Sequence, residues 1–195
     1  MDMSTLDIAQ AAARLIVDEG MEFGPAKHQA LRDLGLHKAA LPSNEEVEEQ
    51  VREHIAIFCS ETQAEELLNL RQLALVWMKR MHEFRPHLTG AAWSGIATKW
   101  SDVYIQLFCD DPKSAEIALI EHGVQYSPST ISGMRGQDVD VLSVVTRSSE
   151  LDDVVVHFLI QDYDDLRGAL KPDRHGRVRR GPTVAVQALI EGQLA

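Results

Sequence analysis

One segment near the middle of the chain, residues 88–111, carries the residue types that most directly indicate chemistry. Gly90 follows two strand-forming residues, and Asp102 opens a run of β-forming residues, 103–108. Successive side chains of a strand point to opposite faces, so Asp102 and Tyr104 are predicted to share one face. A glycine lets backbone N–H groups come close to an anion, and an aspartate binds hard cations such as Mg²⁺. The segment therefore predicts a strand, a glycine turn with an irregular connection, and a second strand.

This segment resembles the signature of the nucleotidyltransferase superfamily, the polymerase-beta-like fold, in its short bacterial members. In that signature a glycine–serine pair follows one strand, and a Ser-Asp-x-Asp sequence opens the next. The chain departs from it at two positions, since Ala91 stands where serine is usual and Tyr104 stands where the second metal-binding aspartate is usual. The positions that match, in register and without a gap, are Gly90, Gly95, Ala97, Thr98, Ser101 and Asp102.

The resemblance implies a two-metal site for nucleotidyl transfer. It implies that Gly90, Ala91 and Ser101 lie against a triphosphate, and that Asp102 is both catalytic and a metal ligand. Mg²⁺ or Mn²⁺ would be the cofactor of an active protein. A tyrosine phenol, with an ordinary pKa of about 10, is a poor ligand for such ions. We therefore expect nucleotidyl transfer to be weak or lost.

The family's third carboxylate lies on a later strand, next to the Asp-x-Asp strand. The best register match places His157 at that position, while Asp140 on the preceding strand is the other candidate and Asp138 a weaker one. Imidazole suits Zn²⁺ or Mn²⁺ better than Mg²⁺. A lone histidine in an apolar strand is also more often a hydrogen-bonded core residue than a ligand. The predicted metal ligands are therefore Asp102 with Asp140 or with His157.

Two basic clusters are candidates for phosphate contacts. Residues 171–182 hold five basic side chains and two turn glycines, and Arg177, Arg179 and Arg180 are predicted to meet phosphate. The alternative is an exposed basic loop that balances an acidic body. The second cluster lies at the C-terminal end of a predicted helix and consists of Lys79, Arg80, His82, Arg85 and His87. Cations at this end also interact favourably with the helix dipole, which is the alternative explanation for the cluster.

Composition indicates an ordinary globular protein. The chain has 195 residues, of which 45% are hydrophobic and 25% charged. Its net charge of −11 makes non-specific binding to nucleic acid unfavourable, so nucleic acid is not an expected partner. Cys59 and Cys109 have no metal-type spacing, and the chain contains no long apolar run and no basic-then-apolar leader. We expect a soluble, cytoplasmic protein that does not bind membranes, with both cysteines as buried thiols.

The elements that must position these residues form an α+β pattern. We predict a mixed β-sheet flanked by helices in a nucleotidyltransferase-like domain, residues 61–195, and an N-terminal helical segment, residues 1–60, that packs on it. The predicted helices are 5–19, 25–34, 45–59 (capped by Asn44), 63–84, 112–122 and 183–192. The predicted strands are 88–89, 103–108, 125–131, 139–145 and 153–160, with turns at Gly133, Gly136 and 148–152, and the last two strands form an antiparallel hairpin.

Three functional hypotheses follow. The first is a degenerate nucleotidyltransferase-like protein that binds a nucleotide, a phosphorylated small molecule or a protein partner without transferring a nucleotide. The second is an active, metal-dependent nucleotidyltransferase that uses Asp102 with Asp140. The third is a DNA-binding regulator whose residues 5–35 form a helix-turn-helix, although its second helix offers few cations to DNA. A helical hairpin is the alternative interpretation of residues 5–35.

Overall fold

In a computed structural model the chain combines α-helices with one β-sheet, and the structure describes residues 3–36, 39–132, 137–147, 153–173 and 175–194. The chain divides into two compact units, residues 1–67 with 96–101 and residues 68–95 with 102–195. The predicted turns at Gly133, Gly136 and 148–152 lie outside the described residues. Within the described residues, no helix is both long and apolar enough to span a membrane.

The first unit is helical, as predicted. It contains α1 (Met3–Glu19), α2 (Phe23–Asp33), α3 (Asn44–Phe58) and the first turn of α4 (Gln63–Arg80). These helices form because each has an apolar stripe. The stripes of α1 and α3 are buried, and they include Ile8, Ala9 and Ala12 of α1 and Val47 and Val51 of α3.

Two helix ends in this unit depend on local chemistry. Gly20 ends α1, as predicted, in a left-handed conformation with φ of +68°. A Cβ at this position would also lie 2.3 Å from the Trp100 carbonyl oxygen. The cap predicted for α3 at Asn44 is one residue late, because Ser43 is the N-cap and exchanges hydrogen bonds with Glu46.

The second unit contains a six-stranded mixed sheet with the order β3-β4-β5-β2-β1-β6. The α+β fold with a mixed sheet and flanking helices is therefore confirmed. Strands β2 and β5 are parallel, the other pairs are antiparallel, and the predicted hairpin is β4–β5. The strands are β1 (His87–Thr89), β2 (Val103–Cys109), β3 (Ser127–Ser132), β4 (Asp138–Thr146), β5 (Val154–Asp162) and β6 (Arg180–Pro182). The remaining helices are α5 (Gly90–Ser94), α6 (Lys113–Glu121) and α7 (Thr183–Leu194).

Three elements differ from the predictions. The connection after Gly90 is the short helix α5 rather than irregular, and α4 ends at Arg80, before a 3-10 turn over His82–Phe84. Residues Arg180–Pro182, predicted as part of a loop, form β6 on the edge of β1. A three-residue strand is too short to show a period-two pattern, and its proline is tolerated at an edge.

One face of the sheet is the hydrophobic core of this unit. Val103, Ile105 and Leu107 of β2 are fully buried on it, as their alternation predicts. Trp77 of α4 packs edge-on against Phe158 of β5, with ring centroids 5.6 Å apart, which confirms its predicted core position. Cys109 is also buried, whereas Cys59 in the first unit is only half-buried. The opposite face carries Tyr104 and His157 together with apolar side chains such as Phe108 and Val141, and it is called the polar face below.

Candidate functional site

A row of register partners crosses all six strands on the polar face of the sheet. Each member faces the next across a strand pair, and none is aliphatic. Directly paired positions lie on the same face, so these side chains form one continuous polar strip. From β3 to β6 the row consists of Ser127, Ser143, His157, Tyr104, Thr89 and Arg180.

His157 is the centre of this row. Its Nε2 lies 3.2 Å from Oδ2 of Asp102, and its Nδ1 lies 2.8 Å from Oγ of Ser143. The Tyr104 ring stacks on the imidazole, with centroids 4.7 Å apart and an interplanar angle of 22°. A carboxylate can only accept, so Nε2 carries the proton. In the neutral imidazole, Nδ1 then accepts the Ser143 hydroxyl proton.

Asp140 does not join this cluster. It lies one residue from Val141, which pairs with Leu159 on the polar face, so the Asp140 side chain points to the other face. There it accepts a hydrogen bond from Thr130 Oγ1 at 3.3 Å. Asp138 lies two residues before Asp140 on β4, so its side chain points to the same face of the sheet as that of Asp140. The sheet thus places the carboxylates of Asp102 and Asp140 on opposite faces, which does not favour the predicted pairing of the two around one metal ion.

The glycine turn lies beside Tyr104. Gly90 has φ of +70°, which favours glycine, and a Cβ placed on it would lie 3.5 Å from the Tyr104 ring. Gly90 and Ala91 open α5, so the structure brings the predicted phosphate-binding turn next to the row. Whether these residues bind phosphate stays a prediction.

Arg71 of α4 holds α5 in place. Its Nε donates to the Ala92 carbonyl at 3.0 Å, and Nη2 donates to the Trp93 carbonyl at 3.4 Å. A third hydrogen bond, of 2.7 Å, runs from Nη1 to Oε1 of Gln193. Burial lowers the pKa of Arg71. Sequence reasoning missed this residue, although an arginine inside the apolar stripe of a helix is a usable signal.

Ser101 makes a hydrogen bond within the helical unit, and its predicted contact with phosphate stays a prediction. It belongs to the first unit, where its hydroxyl accepts the Thr98 N–H at 3.0 Å. Thr98 is buried and donates to the Val17 carbonyl at 3.2 Å. Ala97 accepts a hydrogen bond from Gln63 in the same unit. These signature positions thus have structural roles in the helical unit.

The three arginines predicted to meet phosphate are not equivalent. Arg180 belongs to the row, and its Nη1 donates to Oε1 of Gln106 at 2.6 Å. Its Nε is buried and has no hydrogen-bond partner among the described residues, and burial lowers its pKa. Arg177 and Arg179 instead lie around Asp173, which accepts from the Arg177 backbone N–H at 2.9 Å and from Arg179 Nε at 2.6 Å.

Asp173 gives a pH-dependent prediction. Hydrogen bonds from the Arg177 N–H, then from Arg179 and the His175 N–H, lower the pKa of Asp173 to about 2. A lowered native pKa stabilises the fold above the ordinary aspartate value and loses this effect as pH falls through about 2. We expect Asp173→Asn to lower the thermal midpoint at pH 7, with the difference from wild type shrinking between about pH 4 and pH 2. A difference that does not change with pH would contradict this assignment.

No protein-family model matches the chain, and no match to a curated protein sequence was found. Some solved structures are similar to part of it. The Cid1 poly(U) polymerase with MgGTP bound is 15% identical, with a TM-score of 0.37, over 55% of this chain and 38% of that one. A further Cid1 poly(U) polymerase structure is 15% identical, with a TM-score of 0.37, over 60% and 39%.

A structure of a cytoplasmic RNA terminal U-transferase is 15% identical, with a TM-score of 0.36, over 56% of this chain and 36% of that one. The chain thus spans less than two fifths of the length of each of these structures. Similarity at this level does not define the family or the activity of this chain.

Sequence reasoning also missed Ser143. In the sequence it is a lone hydroxyl inside an apolar strand, and the facing strand of the predicted hairpin holds a lone histidine. Two isolated polar residues on paired strands are a signal that they face each other. Their pairing depends on the register of the hairpin, which the sequence alone does not give.

Proposed function

We propose that the protein is a degenerate nucleotidyltransferase-like protein that binds a nucleotide or another phosphorylated ligand without transferring a nucleotidyl group. The resemblance of residues 88–111 to the family signature supports the class. We infer the loss of nucleotidyl transfer from one observation. His157 lies beside Tyr104 on the neighbouring strand and is hydrogen-bonded to Asp102. This pairing supports the interpretation that a tyrosine and a histidine stand where the family pattern has carboxylates.

The chemistry of these donors does not suit two magnesium ions. Two magnesium ions would need several carboxylate oxygens to hold them. No member of the row is a carboxylate, and the carboxylate of Asp102 beside it already accepts a hydrogen bond from His157. Among the described residues, no group of three or more His, Cys, Asp or Glu side chains could hold a metal ion. If a metal did bind here, Asp102 and His157 would be its ligands, in a site better suited to Mn²⁺ or Zn²⁺ than to Mg²⁺.

Other groups in the row could hold a phosphorylated ligand without a metal. Gly90 has no side chain, and the position that a Cβ would take lies 3.5 Å from the Tyr104 ring, so the backbone of this turn and the ring are adjacent. At the β6 end of the row, the buried Nε of Arg180 has no hydrogen-bond partner among the described residues. The Tyr104 ring and its stacked imidazole offer aromatic surface of the kind on which nucleobases stack. These features support a ligand whose phosphates lie toward Gly90 and Arg180.

A thermal-shift titration tests this proposal. The protein is titrated with ATP, GTP, CTP and UTP, each with Mg²⁺, Mn²⁺ or EDTA. We expect at least one nucleotide to raise the midpoint in EDTA as well as in metal, by about 5–10 °C at roughly 100 times its Kd. No shift with any nucleotide at millimolar concentration would contradict the proposal.

Transfer is measured separately with labelled nucleotides, and we expect none. Arg180→Met should reduce the nucleotide-dependent shift, because it removes the proposed phosphate donor. The matched control is Asp140→Asn, on the opposite face of the sheet, which should leave the shift unchanged. Labelled-nucleotide transfer that Asp102→Asn abolishes would instead establish an active nucleotidyltransferase.

The DNA-binding hypothesis has no comparable support. Lys27, a cation of the second of the two helices in residues 5–35, donates from Nζ to the Pro42 carbonyl at 3.1 Å and to Oδ1 of Asn44 at 2.7 Å. Its charge therefore serves the connection between α2 and α3. Arg32 donates to Gln29 on its own helix. The helical-hairpin interpretation of residues 5–35 accounts for these contacts.

A further inference from the structure

The hydrogen bonds of His157 form a chain of the kind used in nucleophilic catalysis. Ser143, His157 and Asp102 follow one another at 2.8 Å and 3.2 Å. A nucleophile bonded to a base, with the base oriented by a third group, is recognised by geometry rather than by sequence order. We propose that these three residues form a hydrolytic site for carboxylic esters, with Ser143 as the nucleophile. This proposal does not depend on nucleotide binding.

The hydrogen bonds of His157 favour the tautomer that this role needs. Asp102 accepts from Nε2, so the free lone pair of the neutral imidazole is on Nδ1, directed at the Ser143 hydroxyl. The stacked Tyr104 ring restricts rotation of the imidazole. The His157 side chain is 19% exposed, which leaves it open to water for the second half of the reaction. The base is thus oriented from three sides by contacts that the structure shows.

Ser143 also lines a groove on the β3–β4 side of the row. The groove has a volume of about 530 Å³, within the range of small-molecule sites. Its walls combine aliphatic, aromatic and polar groups: Val124, Gln125, Tyr126, Ser127, Ser143 and Val145. The two valines and the tyrosine suit a short acyl chain. The net charge of −11 favours a neutral or cationic ester over an anionic one.

The reaction balances with the ester and water alone. Ser143 Oγ bonds to the ester carbonyl carbon while His157 Nδ1 takes the hydroxyl proton. The carbon–oxygen bond to the alcohol breaks, and His157 returns the proton to that alcohol. Water then attacks the acyl–serine ester, gives its proton to His157, and the carboxylic acid leaves as Ser143 regains a proton. Ser127, the register partner of Ser143, provides a neighbouring hydroxyl that can donate to the carbonyl oxygen.

The exposure of Asp102 limits the expected rate. Its side chain is 39% exposed, and a carboxylate screened by water supports an imidazolium less strongly than a buried one. We therefore expect slow turnover of activated esters, with a loss of about tenfold for Asp102→Asn and at least about 100-fold for Ser143→Ala. The larger effect belongs to Ser143 because it forms the covalent bond.

The test uses the whole chain with p-nitrophenyl acetate and butyrate, and with a fluorophosphonate that labels activated serines. We expect ester hydrolysis and a label on Ser143, identified by peptide mass spectrometry. Ser143→Ala should remove both the hydrolysis and the label. The control is Ser132→Ala, an exposed strand serine paired with Asp138 outside the groove, which should keep both. Absence of labelling in the wild type, or equal hydrolysis by Ser143→Ala, would overturn the proposal.

A second variant tests the base directly. The thiol introduced by Ser143→Cys should be alkylated by iodoacetamide at pH 7 at least tenfold faster than the same thiol combined with His157→Gln. The native cysteines give a low background, since burial raises the pKa of Cys59 and raises that of Cys109 to about 11. Equal alkylation rates in the two variants would mean that His157 does not activate position 143, and would also overturn the proposal.

Discussion

Replacing Arg71 by methionine is expected to lower the free energy of unfolding by about 3 kcal/mol. Methionine keeps most of the aliphatic volume but leaves the carbonyls of Ala92 and Trp93 without their donor. Hydrogen bonds to a charged group are each worth about 1.5–3 kcal/mol, and buried acceptors left unpaired add to the loss. Arg71 is 5% exposed, so water does not replace the lost donor. Urea denaturation followed by circular dichroism measures the change.

The control for Arg71→Met is Lys79→Met on the same helix. Lys79 is exposed, and lysine and methionine have similar helix propensities, so this change should alter stability by less than about 0.5 kcal/mol. Because α5 begins at Gly90, Arg71→Met should also weaken the nucleotide-dependent thermal shift more than stability alone explains. Equal urea midpoints for the two variants would show that Arg71 does not hold α5.

Replacing Phe158 by alanine should have the largest effect on stability, a loss of about 4 kcal/mol. Phe158 is fully buried, and its ring meets Trp77 edge to face. Large-to-small changes of buried aromatic residues cost about 3–5 kcal/mol, because transfer free energy is lost and a cavity remains. For a chain of this size the thermal midpoint should fall by roughly 8–16 °C.

The matched control is Ile120→Ala on α6. Ile120 is 60% exposed, so the loss of its side chain should change the midpoint little. Phe158 also neighbours His157 on β5, and we expect its replacement to disturb the Ser143–His157 hydrogen bond as well as the core. A midpoint for Phe158→Ala close to that of Ile120→Ala would contradict the packing described for this face.

The sequence predicted those parts of the fold that depend on periodicity. Alternation in 103–108 separates Ile105, on the core face, from Tyr104, on the polar face, and the structure has both as expected. The helices were predicted because each has a continuous apolar stripe. The start of α3 was misplaced by one residue because Ser43 and Asn44 are both good N-caps, and the choice depends on the side-chain contact with Glu46.

The site was predicted less well, because it depends on register. A shift of one residue moves a side chain to the other face of a sheet, and this separates Asp140 from Asp102. The pairing of Ser143 with His157 depends on the same hairpin register. Arg180 reaches the row because β6 pairs with β1, a contact between residues about ninety positions apart for which a three-residue strand gives no local signal.

The parallel pairing of β2 with β5 has a consequence for folding kinetics. The hydrogen bond between Asp102 and His157 joins residues 55 positions apart, and such closures form slowly because chain entropy is lost before the contacts are made. The row is therefore expected to be completed late, after the helices and the β4–β5 hairpin. Stabilising contacts that form only after the folding transition state lower the unfolding rate and leave the folding rate unchanged. A ligand bound across this row would thus prolong the lifetime of the folded protein while leaving its folding rate unchanged.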